Sequence, residues 1–170
     1  MYVTPVQLAE RPGARELAQV ATRERDAIVV DELMDATLRA LDRSAWSADD
    51  IAVADEALAR IQEAITDADG VIDGFLARRY PLPLATVPGV VVAWSRAITR
   101  YNLHKDRLST DQNDPIVRDY RDALKLLQLT ADGKFSLGAN DPVLTDPGDA
   151  DVQFVSDGHV FRRDRSRRYP

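Results

Sequence analysis

Two interleaved seven-residue series do most to limit what this chain can fold into. Ile51, Leu58, Ile65 and Ile72 form one series; Ala54, Ile61, Ala68 and Phe75 form the other. Together they draw one apolar seam over four heptads, the spacing of a single long helix and not of a strand. Ser47-Ala48-Asp49-Asp50 predicts its start, with Ser47 as the cap and an acid at the capping-box position. Its end is predicted near Arg79, because Pro81 disfavours helical geometry at Tyr80. A helix of this length points to an all-α helical bundle with long helices, in which the seam is the core face. Part of the seam as an oligomer contact is the alternative. Gly70 and Gly74 each cost about 1 kcal/mol against Ala, and close packing of another backbone is the expectation there.

Other helices follow from their punctuation. Thr4-Pro5-Val6-Gln7 combines a Thr cap, Pro at the first helical position and Gln three residues after the cap. Arg11-Pro12-Gly13 ends that short helix, and a second is expected over Ala14 to Thr22. Asp26 is read as the cap of a third, with Val30, Leu33, Met34, Thr37, Leu38 and Leu41 on one face. A helix beginning around Val87-Pro88 places Val87, Val91, Trp94, Ile98 and Tyr101 together. Asp114-Pro115 opens the next, striped by Val117, Tyr120, Leu124 and Leu127 and ending before Asp132-Gly133.

Beyond that point the texture changes. Residues 139–151 read ANDPVLTDPGDAD, which is linker composition. VQFVSDGHVFRR then alternates around Asp157-Gly158, the pattern of a tight hairpin that pairs Phe154 with Phe161 and Val155 with Val160. An isolated two-stranded hairpin is marginal in water. The division expected is a helical body over 1–135 and a linker with a C-terminal extended arm or β-hairpin over 136–170. Phe154, Phe161, Arg162, Arg163, Arg165, Arg167, Arg168 and Tyr169 would be the docking residues of that arm.

Charge sharpens this division. The net charge of -6 conceals a C-terminal dozen with five arginines against Asp164, and a remainder with 17 basic and 27 acidic groups. An acidic body is a poor non-specific binder of nucleic acid, whereas the tail can engage nucleic acid or an acidic protein surface. The chain has no cysteine, which excludes disulfides and thiolate zinc sites. The opening MYVTPVQLAE lacks the basic flank and apolar run of a secretory signal. The longest apolar run, Val90 to Trp94, is too short to cross a bilayer, so no membrane partner is expected.

No catalytic set stands out. His104 and His159 lie in different segments without a nearby nucleophile, and surface or helix-end roles are preferred. Asp67, Asp69 and Asp73 lack the loop pattern of a hard-cation site and read as a solvated acidic face. No phosphate-cradling loop or zincin motif is present, so neither an enzyme nor a cofactor is expected. The stretch DGVIDGFLARRYPLPL instead reads as architecture. Arg79, Tyr80, Pro81, Pro83 and Pro88 form a stiff corner that sets the angle between two long helices. Arg78 and Arg79 suit the helix end through its dipole, or an ion pair with an acidic neighbour.

IDGFLARRYPLPLATVP (Ile72 to Pro88), AITRYNLHKDR (Ala97 to Arg107), YRDALKLL (Tyr120 to Leu127) and GKFSLG (Gly133 to Gly138) together resemble the Mu-like phage head–tail adaptor family. So do the N-terminal MYVTPVQL and the terminal VFRRDRSRRY. The resemblance implies a structural head–tail connector subunit of the virion neck, present in the host cytoplasm during assembly. It implies a homo-oligomeric ring of about twelve copies, closed by a repeated subunit contact. The implied partners are the portal protein above, which the arm would dock, and the next neck or tail component below. DNA would pass through the channel without specific binding. The rival reading is a monomeric helical interaction module with a basic nucleic-acid-binding tail. A second rival, metal-dependent catalysis at Asp67, Asp69 and Asp73, rests on those carboxylates alone.

Overall fold

The long helix organises everything around it. In the computed structural model, which describes residues 1–105 and 114–138, helix α4 spans Ala48–Leu76. Its 29 residues give a rod of about 44 Å. Before it come α1 (Pro5–Leu8), a kink over Ala9–Gly13 with Arg11 in extended geometry, α2 (Ala14–Ala21) and α3 (Asp31–Leu38). After it come α5 (Gly89–His104) and α6 (Pro115–Ala131). The described residues contain helices and no strand. The C-terminal arm or hairpin lies outside them.

Local chemistry explains most helix ends. Thr4 and Gln7 form a reciprocal capping box: Gln7 N–H donates to Thr4 Oγ1 at 3.2 Å, and Thr4 N–H donates to Gln7 Oε1 at 3.0 Å. Ser47 Oγ accepts from Asp50 N–H at 3.1 Å. Its hydroxyl also donates to the Asp50 carboxylate at 2.7 Å, so Asp50 braces the cap and does not complete a reciprocal box. Asp114 caps α6 by accepting from Ile116 N–H at 2.8 Å. That helix closes with Gly133 at φ 77° and a Lys134 N–H to Leu129 bond of 2.8 Å, the left-handed glycine stop expected of Asp132-Gly133.

Helix α3 departs from the expectation. Asp26 does not cap it; Asp26 N–H closes a turn onto Arg23 O, and Val30 occupies the cap position without a side-chain bond. Leu33, Met34, Thr37 and Leu38 are buried as expected. Val30 and Leu41 are 52% and 56% exposed, because the helix is too short to carry either on its inner face. The stop is unusual: Ala40 adopts φ 56°, and Leu41 N–H returns to Ala36 O at 2.8 Å. This is a glycine-type helix stop built with alanine.

The seam is a core face. Ala54, Ile61, Ile65, Ala68 and Ile72 have no exposed surface. Ile51, Leu58 and Phe75 are partly buried against the same cores. A buried Ile or Leu contributes about 1.5–3 kcal/mol relative to exposure, which is why the seam dominates the fold. Among the described residues nothing packs against Gly70 or Gly74: a Cβ at either would meet no atom within 4 Å.

Two cores divide α4 lengthwise. The first joins Val3, Leu8, Leu17, Ala18, Leu33, Met34 and Leu38 to Ala54, Ala57, Ile61 and Ile65. The second joins Tyr2, Tyr80, Trp94, Ile98, Ala123 and Leu127 to Ala68, Ile72 and Leu76. Helix α5 runs along α4, and α6 packs against both. Two of the buried threonines bond within the chain's helices, Thr22 donating to Ala18 O at 2.6 Å and Thr37 to Leu33 O at 2.7 Å, whereas the buried Thr99 hydroxyl has no partner among the described residues.

Candidate functional site

The corner between α4 and α5 is the best-defined of the sequence-predicted sites. Helix α4 ends at Leu76, three residues before the expected limit, but Arg79 and Tyr80 N–H groups both still bond to Leu76 O. Tyr80 is buried, whereas Pro81 and Pro83 are exposed and Pro88 is the cap residue of α5. Leu82 and Leu84, alternating with the prolines, turn partly into the second core. The period-two alternation thus sends leucines inward and prolines outward.

What pins the corner comes from far along the chain. Leu137 N–H donates to the Tyr80 hydroxyl at 3.2 Å, and the Arg79 guanidinium donates to Phe135 O at 3.4 Å. That guanidinium also lies 5.7 Å from the Tyr80 ring centre, within cation–π range. Phe135 meets Trp94 with ring centres 5.9 Å apart and planes at 56°. The segment after α6 therefore straps the corner to α5. The prolines limit the backbone, and Tyr80, Phe135 and Leu137 decide where it is held. Sequence reasoning grouped Arg79, Tyr80, Pro81, Pro83 and Pro88 as a corner and missed the strap.

Two further polar nodes hold the helices in register. Asp69 accepts from Tyr2 N–H at 3.1 Å and from the Ser95 hydroxyl at 3.3 Å. The Tyr2 hydroxyl donates to Asp73. Burial pushes the Tyr2 phenol pKa up, and Asp73 and Asp69 push it further. These two carboxylates tie the N-terminal residues to α4, which corrects their reading as a solvated face; Asp67 is exposed. No group of three or more metal-capable side chains occurs among the described residues.

The second node joins α2 to α5. Glu16 takes a two-pronged bond from Arg100, Nε–Oε1 2.5 Å and Nη2–Oε2 2.7 Å, and lies 3.0 Å from His104 Nε2. Burial pushes the Glu16 pKa up, but the bonds from Arg100 and His104 outweigh it and leave the carboxyl below its usual range. His104 is the last residue of α5, the helix-end position preferred from sequence. Its tie to Glu16 had no local signal. Tyr101 and Tyr120 stack with ring centres 3.9 Å apart, joining α5 to α6.

The arm residues Phe154, Phe161, Arg162, Arg163, Arg165, Arg167, Arg168 and Tyr169 lie outside the described residues. No described helix is long and apolar enough to cross a membrane.

The chain is 38% identical over 133 residues to the Mu-like prophage FluMu protein gp36 of Haemophilus influenzae, covering 78% of this chain and 89% of that protein. It is 34% identical over 110 residues to gene product J of Escherichia phage Mu, covering 64% and 74%. The profile of the family described as Bacteriophage Mu, Gp36 matches residues 2–156, which takes in every described helix and the corner. The chain is therefore a Mu-like phage protein and belongs to the bacteriophage Mu Gp36 family.

Proposed function

We propose that this chain is a non-enzymatic structural connector of a Mu-like phage. Copies form a ring below the portal in the virion neck and join it to the next neck or tail component. The observation that carries the reading is the strapped corner. Tyr80, bonded to Leu137, and Arg79, bonded to Phe135, fix the angle between α4 and α5 without enclosing a reactive group. A ring subunit needs such an angle, because a small error repeated around a closed circle prevents closure. The acid excess of the body suits a channel through which DNA slides without sticking.

Mass measurement of the purified chain, alone and with the portal of its phage, tests this function. Portal-dependent formation of a closed multimer is the expected result. A chain that stays monomeric and unattached with portal present contradicts it.

A further inference from the structure

A shallow groove of about 500 Å³ lies beside α3, lined by α3, the start of α2 and the segment that follows α3. Ala14, Ala36, Leu41 and Trp46 supply its apolar surface, and Asp31, Glu32, Asp35 and Asp42 supply its acidic lining. Leu41 stands 56% exposed, held out by the Ala40 stop of α3. Arg15 reaches Asp31 only at 4.0 Å, and Arg39 engages Asp35 at 2.9 Å. Glu32 has no ion pair among the described residues. Asp42 has no ion pair among the described residues; the Ser44 hydroxyl and amide, with the Arg43 amide, hold its carboxyl below the usual range. The groove thus combines an exposed leucine and a tryptophan with two uncompensated carboxylates.

One segment of this chain has the complementary chemistry. Residues 161–169 read FRRDRSRRY: five arginines between Phe161 and Tyr169. Acid excess is also concentrated on the lobe that carries the groove. Residues 1–66 hold thirteen acidic and seven basic groups, whereas residues 67–138 hold nine acidic and ten basic. The basic segment is therefore repelled least and attracted most by the α3 side. Twenty-two residues separate Gly138 from Phe161, a reach of up to about 70 Å when extended, longer than α4 itself.

We infer that the groove beside α3 receives the C-terminal segment 161–169 of a second copy of this chain. The inference rests on the ring reading above and names the arm's partner as the neighbouring subunit in place of the portal. Arginines meet Glu32 and Asp42, and one terminal aromatic covers Leu41 against Trp46. The contact is head-to-tail, the kind that repeats from copy to copy around a ring.

A fluorescent synthetic peptide of residues 159–170 tests the groove. It is titrated against the full chain carrying Arg162→Glu and Arg163→Glu, whose own segment competes poorly. Saturable binding is expected, weakened about tenfold by adding Glu32→Lys and Asp42→Lys and weakened again by raising salt from about 50 to about 300 mM. Glu32→Gln with Asp42→Asn serves as the milder variant should the reversals unfold α3. No saturable binding, or binding indifferent to both groove variants, overturns the inference. Native mass of an equimolar mixture tests the second copy: the groove-reversed chain and the arm-reversed chain should form mixed pairs. Peptide binding without mixed pairs means the segment folds back on its own copy, and overturns the assignment. A portal-bound ring that forms without peptide binding removes this inference and leaves the connector function standing. Peptide binding with mixed pairs but no portal-dependent ring removes the connector function and leaves the groove.

Discussion

The two halves of α4 serve cores of different construction. Around Ala54 to Ile65 the core is aliphatic and alanine-rich, roofed by α1, α2 and α3, none longer than eight residues. Helices that short have little stability of their own, so they are helical because α4 gives them a surface. Around Ala68 to Leu76 the core is aromatic, built from Tyr2, Tyr80 and Trp94 with Phe75, Tyr120 and Phe135 partly buried beside them. That half is tied by hydrogen bonds to distant segments, Tyr2 to Asp69 and Tyr80 to Leu137. The first half holds shape mainly by aliphatic packing of short helices on α4, with Glu16–Arg100 as its long-range tie. The second holds an angle by pinning it from both ends of the described chain. An assembling subunit needs the second property at its corner more than at its roof.

The largest test of this contrast is whether the halves melt together. The chain has two tryptophans, and they report separately: Trp46 borders the first core and Trp94 lies in the second. Leu33→Ala and Ile72→Ala should each cost about 2–5 kcal/mol. If α4 couples the cores, either substitution shifts the Trp46 and Trp94 fluorescence transitions in denaturant by the same amount. Transitions that separate would show that the halves fold independently.

Next in size is the strap. Tyr80→Phe removes the acceptor for Leu137 N–H and should cost about 1 kcal/mol, while reducing ring or particle yield more than that loss of stability explains. Exposed Pro81→Ala should change stability by less than Tyr80→Phe. Equilibrium denaturation and assembly yield, measured on the same preparations, rank the two. A larger stability loss for Pro81→Ala would place control of the corner in the proline.

Helix-end chemistry gives a comparable effect of opposite sign. Ala40→Gly relieves the φ 56° backbone and should stabilise by about 1 kcal/mol. Gly70→Ala and Gly74→Ala meet no neighbour and should each stabilise by about 1 kcal/mol. Thermal melts check all three. Should the glycine variants melt higher yet assemble poorly, the outward face of α4 is a subunit contact.

The smallest effect is acid sensitivity. The Glu16 carboxyl is held below its ordinary value of 4.5 in the fold, chiefly by Arg100 and His104 acting against burial. Its contribution is complete above that value and is lost as pH falls through the lower folded value. The stability difference between wild type and Glu16→Gln should therefore narrow as pH falls below 4.5. A difference that widens toward acid would contradict the node.

Legibility in the sequence followed contact range. The seam and the caps at Thr4, Ser47 and Asp114 were readable because each is set within a few residues. The start of α3 was not, because Val30 supplies no capping side chain and Asp26 offered a false one. Tyr2 with Asp69, Glu16 with Arg100 and Tyr80 with Leu137 are separated by 67, 84 and 57 residues. No local pattern announces such pairs. The corner itself was legible through its prolines, but its anchor was a tyrosine beside them whose partner lies in GKFSLG. The match to the Gp36 family supplied what periodicity could not, the phage setting.

Electron microscopy of the full chain bound to the portal of its phage tests the central claim most directly. The account predicts a closed ring below the portal, with the α4–α5 corner keeping one angle in every copy. Isolated copies scattered on the portal, or a portal with nothing bound, would contradict it.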